Sequence, residues 1–483
     1  MFQLPVDCLN EIFEHLKEDQ LTLYSCILVN RFWCEISMKF LWSDINSYNT
    51  SKFRTLIACL PIESKKILHD NGIIISTPTS KFPTFNYATF CKVLFINRVY
   101  HKIKKLLKNQ QIISEQNLND KTQIVVNEIF KMLMNQVTSI KSLIFFPKSN
   151  MTFTLYPGAQ NCLKNLSELH CNSNVSTELF YQLSQICYNI QIFSIEFRRT
   201  ISSGLADLIS VQRNLKCFSM MLCYDMTGES LKNAIPSLLL KLPNNLMKLD
   251  LYESYHSLSL SFINNLLDLQ ELHLSFSFKC ISVFEELQYV ILPKLQVIKI
   301  RKNYPENNSL IKFLENNGKN LKEICIGEDI AYSNNSLNLS IAKLCSNLKK
   351  ISVGIKSSEI ETLKIIFNSC NNLESIKIWC GREYLSEKEA LEAIVKFSRN
   401  IYELILYHQF KVQFKLLPEE LESFFINWID RKPQKPLSLV IVRYFNTKSL
   451  DAIDKNIEII NKYIKLGVIK KFKITDFDDD EYI

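Results

Sequence analysis

The fifteen cysteines and seven histidines of this 483-residue chain are the side chains best able to ligate a metal or attack a carbonyl. Neither type falls into the spacing such chemistry needs. No C-x-x-C pair and no H-E-x-x-H occurs, so zinc-ribbon-like, RING-like and zincin sites have no support. With nine glycines and no G-x-G or G-x-x-x-x-G-K, no loop is built to cradle a nucleotide phosphate. Scattered histidines are more often ordinary surface or core residues than catalytic ones. The expectation is a chain that is not an enzyme and carries no cofactor and no metal. Binding chemistry is better represented. Lys299, Arg301, Lys350 and Lys377 combine with Trp379, Tyr252 and Tyr407 into a set of cations and rings suited to an acidic or phosphorylated peptide.

These residues belong to a repeating triplet, apolar at i, i+3 and i+5, as in Leu246-Met247-Lys248-Leu249-Asp250-Leu251. Its first members are Ile140, Leu166, Ile190, Leu215, Leu246, Leu269, Leu295, Leu321, Leu348, Leu373 and Ile401, separated by 23 to 31 residues. Asn stands just before the anchor at 165, 189, 214, 245, 320, 347, 372 and 400. Two further triplets, Leu437-Val440-Val442 and Ile469-Phe472-Ile474, extend the series. Positions i+3 and i+5 share one face of a strand. Between triplets the period becomes helical: Ile360, Leu363, Ile366 and Phe367 share one face, and Ser386 with Glu389 reads as a capping box. A strand and a helix recurring at roughly 20 to 29 residues is the pattern of a leucine-rich repeat. The expected fold is therefore α/β, a curved solenoid of about 11–13 divergent repeats whose strand surface binds a partner.

Bulk properties agree with a folded, binding protein. A hydrophobic content of 47% is far from the disordered regime, and a net charge of +8 spread along the chain gives little reason to expect nucleic acid. An odd number of cysteines, with no basic n-region or apolar h-region after Met1, points to a reducing compartment, the cytoplasm or nucleus. No run of about 18 apolar residues predicts a membrane span.

Ahead of the repeats, three short helical patterns fill forty residues. The first has Val6, Leu9, Ile12, Phe13 and Leu16 on one face, with Pro5 at its first position. The second runs through Leu21, Tyr24, Ile27 and Leu28, and the third through Phe32, Trp33, Ile36, Phe40 and Leu41. Leu4, Phe13, Leu28 and Trp33 exceed what so small a unit can bury. The order Leu4-Pro5-x-Asp7, Ile12-Phe13-x-x-Leu16, Leu28-Val29-Asn30-Arg31-x-Trp33 and Leu41-Trp42 resembles the F-box, over residues 3 to 42. It departs from the usual pattern at Asp7, where Glu is typical, and at Asn30, where Cys is typical.

That resemblance implies a Skp-family adaptor, and through it a cullin, as partners. Leu4, Pro5, Ile12, Leu16, Leu28, Val29 and Trp33 would make or support the adaptor contact. The same N-terminal helices without that partner would simply cap a leucine-rich-repeat scaffold. Cys345 and Cys370, each three residues before an anchor, resemble the cysteine-containing repeats of F-box proteins and are expected to be structural. The expected division is an all-α F-box over 1–45, a mainly helical connection over 46–138, the solenoid over 139–475 and an acidic tail over 476–483. Within the connection, Tyr87 to Lys108 and Thr122 to Val137 read as helices. Lys102, Lys104, Lys105 and Lys108 lie on the first as a solvated face.

Overall fold

The computed structural model describes residues 4–79, 82–109, 115–146, 153–198, 201–223, 229–253, 258–275, 284–301, 304–327, 332–408, 416–432, 435–444, 447 and 449–476. Two compact units are distinguished. One runs to Phe218 and takes in Lys241–Pro243; the other holds most of the chain from Ser219 onward.

The first unit opens with helices α1 (Val6–His15), α2 (Gln20–Ile27), α3 (Arg31–Leu41), α4 (Thr50–Ala58) and α5 (Ile62–Asp70). It continues as β1 (Val93–Phe95), α6 (Ile96–Lys108), α7 (Glu115–Gln136), β2 (Ser142–Phe145) and α8 (Ala159–Leu163). Then come β3 (Glu168–Asn172), α9 (Thr177–Ile186), β4 (Ile192–Phe197) and α10 (Ser203–Ser210). Strand β5 (Cys217–Leu222) lies across the division, followed by α11 (Glu229–Leu239).

The second unit presents β6 (Lys248–Glu253), β7 (Glu271–Ser275), β8 (Val297–Ile300), α12 (Asn307–Asn317), β9 (Glu323–Ile326) and α13 (Asn335–Leu344). After these come β10 (Lys350–Val353), α14 (Ile360–Ser369), β11 (Ser375–Cys380), α15 (Glu387–Phe397) and β12 (Glu403–His408). Helix α16 (Pro418–Ile429), β13 (Leu437–Arg443), α17 (Asp454–Lys465) and β14 (Ile469–Asp476) complete it. Strand order is chain order throughout, and every described pairing of neighbouring strands is parallel, as in β6 with β7 and β11 with β12. Repeated strand-then-return units in one parallel sheet make this an α/β leucine-rich-repeat solenoid.

The eleven anchors are at most 2% exposed, which is why their spacing dominates the sequence. From β6 to β9 neighbouring strands align their i+3 residues, so Leu249, Leu272, Ile298 and Ile324 form one buried row. Polar side chains bond repeat to repeat. Asn320 Nδ2 donates to Pro293 O at 2.9 Å, Asn347 to Lys319 O at 2.8 Å and Asn400 to Asn371 O at 2.7 Å, which explains the Asn before the anchor. Three residues before an anchor a second ladder runs. Cys187 Sγ donates to Leu163 O, Gln212 Nε2 to Cys187 O and Cys370 Sγ to Cys345 O, at 3.5, 2.6 and 3.4 Å. Asn317 has a comparable place at the end of α12, donating to Val290 O and accepting from Leu292 N. Gly318 follows because a Cβ there would come within 2.9 Å of Cys345 Sγ.

Three sequence expectations need correction. The stretch from Tyr87 to Lys108 is not one helix: a 3-10 turn at Tyr87–Phe90 leads into β1, which pairs with β2, so the sheet begins before residue 139. The short strand was hidden by the strong helical periodicity of Ile96, Val99, Ile103 and Leu106 just beyond it. The triplet Leu437-Val440-Val442 is out of register by one, because Leu404 and Leu406 align with Leu439 and Ile441. Strand β13 is apolar on both faces, which leaves no alternation to read. The triplet at Ile469 is in register, Phe472 and Ile474 aligning with Leu439 and Ile441. The capping box forms as expected: Ser386 Oγ accepts from Glu389 N, and Glu389 Oε2 accepts from Ser386 N. The acidic tail lies outside the described residues apart from Asp476.

Candidate docking faces

Helices α1 to α3 bury Leu9, Phe13, Leu23, Ile36 and Leu41 among themselves and the residues that follow. Phe13 is wholly absorbed, with the half-buried Trp33 ring edge-on to it at 5.5 Å. Asn30 accepts a hydrogen bond from Trp33 N at 2.9 Å and so caps α3. The residue that departs from the F-box pattern thus has a local structural function. Asp19 caps α2 in the same way, bonding Thr22 through both its hydroxyl and its amide, and this pulls the Asp19 carboxyl below its ordinary range. Pro5 occupies the N-cap rather than the first helical position, a shift of one residue.

Outside this small core, apolar groups remain in water. Leu4, Pro5, Ile12, Leu28 and Val29 are exposed, and Leu16 joins Trp33 in being half-buried. Sequence reasoning missed three others: Val6, Leu21 and Tyr24. Leu21, Tyr24 and Leu28 run down one side of α2, while Leu23 and Cys26 on the other side are buried. Leu21 is 81% exposed and Leu28 86%. A helix apolar on both sides ordinarily lies inside a protein. That two-sidedness, legible in the sequence, was the available signal.

The far end of α3 is joined to the repeats. Ser43 O accepts from Lys92 N and Val93 N, and Asp44 bridges Val93 in parallel, so the segment after α3 continues the ladder of β1. Lys52, pulled below its ordinary range by burial, donates to Leu41 O at 2.8 Å and lies over the Trp42 and Tyr48 rings.

In the second unit, the strand face turned away from the leucine core carries the other predicted residues. Lys299 is paired with Glu323 at 2.8 Å, Arg301 with Asp250 at 3.3 Å, and Lys248 with Glu271 at 3.1 Å. His273 Nδ1 lies 3.5 Å from Asp250. Burial pushes the Asp250 carboxyl up, but His273, Arg301 and Lys248 together outweigh it and hold it below its ordinary range. Tyr252 is half-buried and Lys350 exposed.

Trp379 and Tyr407 are not the exposed aromatics expected of a target surface; each is 1% exposed. Their strand positions are correct, but Trp379, Tyr407 and Val442 are cross-strand neighbours, as are Lys377, Ile405 and Val440. The face therefore builds a second apolar cluster with Tyr384. The Trp379 and Tyr407 rings lie 4.0 Å apart, and Lys377 Nζ sits 4.1 Å from the Tyr407 ring centre. Lys377 remains half-buried above the rings. Cys345 and Cys370 are buried, their thiols pushed up to about 12 and about 11 by desolvation, as suits a structural role.

Among the described residues, no group of three His, Cys, Asp or Glu is placed to hold a metal ion, and no helix is long and apolar enough to cross a membrane. No family model matches the chain, and no curated protein matches it. Solved structures do. One is the leucine-rich repeat-containing protein LegL7 from Legionella pneumophila, at 14% identity and a TM-score of 0.32, over 67% of this chain and 90% of that one. Another is a chain of the Rad7 and Elc1 complex in yeast, at 14% identity and a TM-score of 0.39, over 73% and 89%. At 14% identity and TM-scores below 0.5 these likenesses carry no argument; the order and pairing of the strands themselves give the chain a leucine-rich-repeat fold.

Proposed function

We propose that this protein is the substrate-recognition subunit of an SCF-type ubiquitin ligase, with its N-terminal helices docking on a Skp-family adaptor and its repeats holding a target. The two-sided apolar character of α2 carries this reading. Leu21, Tyr24 and Leu28, beside Leu4, Ile12 and Val29, are the groups a partner would remove from water. A large exposed side chain such as Leu28 gains roughly 1.5–3 kcal/mol when fully buried. The chain itself is non-catalytic in this scheme. It bridges adaptor and cullin to the target, and proximity to a charged conjugating enzyme does the rest. In this scheme the protein works in the reducing cytoplasm or nucleus.

A second reading, a scaffold whose helices only cap the repeats, draws on the Ser43 and Asp44 bonds to β1. It accounts for the buried ends of α3 and leaves the open side of α2 without a purpose. Affinity purification of wild type against Leu28→Asp/Val29→Asp distinguishes the two, because both residues are exposed and the fold should tolerate the change. Loss of the adaptor and cullin from the variant is expected. Equal recovery of both by the two chains, or recovery of neither by wild type, would overturn the ligase reading.

A further inference from the structure

The basic side of α6 is not uniformly solvated. Lys104 is paired with Glu115 at 2.6 Å, but Arg98 and Lys102 line a cavity of about 460 Å³. The cavity lies within the first unit, beside the carboxyl ends of β1, β2 and β4, and Glu196 and Arg198 also line it. Asn97 fixes that end of α6, accepting from Phe146 N at 2.7 Å and donating to Phe146 O at 2.8 Å. Arg198 is anchored through its backbone amide to Ser173 Oγ, and both Glu196 oxygens lie 2.9 Å from its Nη2.

Glu196, the one carboxylate among the described lining residues, therefore already faces Arg198. Arg98 and Lys102 have no carboxylate of their own: neither forms an ion pair among the described residues, and Arg98 Nε is a buried donor with no partner there. Standing four apart on one helix, the two cations also repel each other. A buried unpaired donor and a like-charged pair are both unfavourable, and one anion would relieve both. We propose that this cavity binds a phosphate monoester, its phosphoryl oxygens held by Arg98 and Lys102 and its organic part resting on Phe95 and Phe146. A phosphate monoester carries about −1.5 to −2 charge at neutral pH and matches two cations. The edge of a guanidinium presents two parallel N–H groups to two of its oxygens. The volume exceeds that of bare phosphate, and both phenylalanines, half-buried in the cavity wall, offer apolar surface to an ester group. This site is separate from the ligase reading and does not depend on it.

Isothermal titration of the full chain with phenyl phosphate, inorganic phosphate and phenyl sulfate tests the assignment. Saturable one-to-one binding of phenyl phosphate is expected, tighter than that of inorganic phosphate and roughly tenfold or more tighter than that of the singly charged sulfate. Arg98→Gln and Lys102→Gln should each weaken it by about tenfold or more, while Lys104→Gln leaves it unchanged. A phosphotyrosine peptide binding more tightly than phenyl phosphate would place the ester on a polypeptide, and equal affinity would place it on a small molecule. Absence of saturable binding by phenyl phosphate, equal affinity for phenyl sulfate, or binding indifferent to both Arg98→Gln and Lys102→Gln would overturn the proposal.

Discussion

The outer side of α2 and the second face of β6 to β9 both meet solvent, but their chemistry is opposite. On the strands, charges meet charges: Lys248 with Glu271, Lys299 with Glu323 and Arg301 with Asp250. On α2, Leu21, Tyr24 and Leu28 meet water. These half-buried ion pairs satisfy one another's charge, so the strand face leaves less to be gained from a partner. Exposed leucines gain most from a permanent partner. Under the proposed function, the helices would make the constitutive contact and the strands the releasable one.

The largest effect expected from testing that contrast lies in the core. Leu272→Ala, at a fully buried position, should cost about 2–5 kcal/mol in urea unfolding. Asn317→Ala ranks next at about 1–3 kcal/mol, because it strands Leu292 N and Val290 O without their side-chain partner. Leu28→Asp should change stability by at most about 0.5 kcal/mol, yet weaken adaptor capture by about 2 kcal/mol, roughly thirtyfold. A large loss of stability there would mean that the residue is internal and the contrast mistaken. The smallest effect concerns acid. The Asp250 carboxyl is held below its ordinary value of 3.8 in the folded chain, so its contribution is present above that value and is lost as pH falls through the folded value. The stability difference between wild type and Asp250→Asn should hold above the ordinary value of 3.8 and shrink as pH falls below it and through the lower folded value. A constant difference would remove the ion-pair account of this face.

The repeats were legible because every unit needs the same buried anchor, and a requirement repeated at near-constant spacing stands out even in a hydrophobic chain. Legibility failed where one segment served two faces. Val440 and Val442 belong to the cluster of Trp379 and Tyr407, so alternation vanished from β13 and its register slipped by one. The same cluster removed both aromatics from the predicted target surface. On α2 the opposite error occurred: Leu21 and Tyr24 read as part of an apolar helical stripe, and periodicity alone does not say whether a stripe faces core or solvent. Neither Arg98 nor its cavity had a sequence signal, since Phe95, Phe146 and Arg198 meet it only through the parallel stacking of β1, β2 and β4.

The hydrogen bonds that lead from one repeat to the next also constrain how such a chain can change its length over generations. Cys187, Gln212 and Cys370 fill the same place with different donors, each reaching the carbonyl at the matching place one unit back. Duplicating or deleting a whole unit keeps every donor opposite an acceptor, whereas a fractional insertion at that joint leaves one of each buried and unmatched. Growth by complete modules is therefore the inexpensive route, and tolerance for Cys, Gln or Asn at the joint lets the modules diverge in composition while the coupling between them persists.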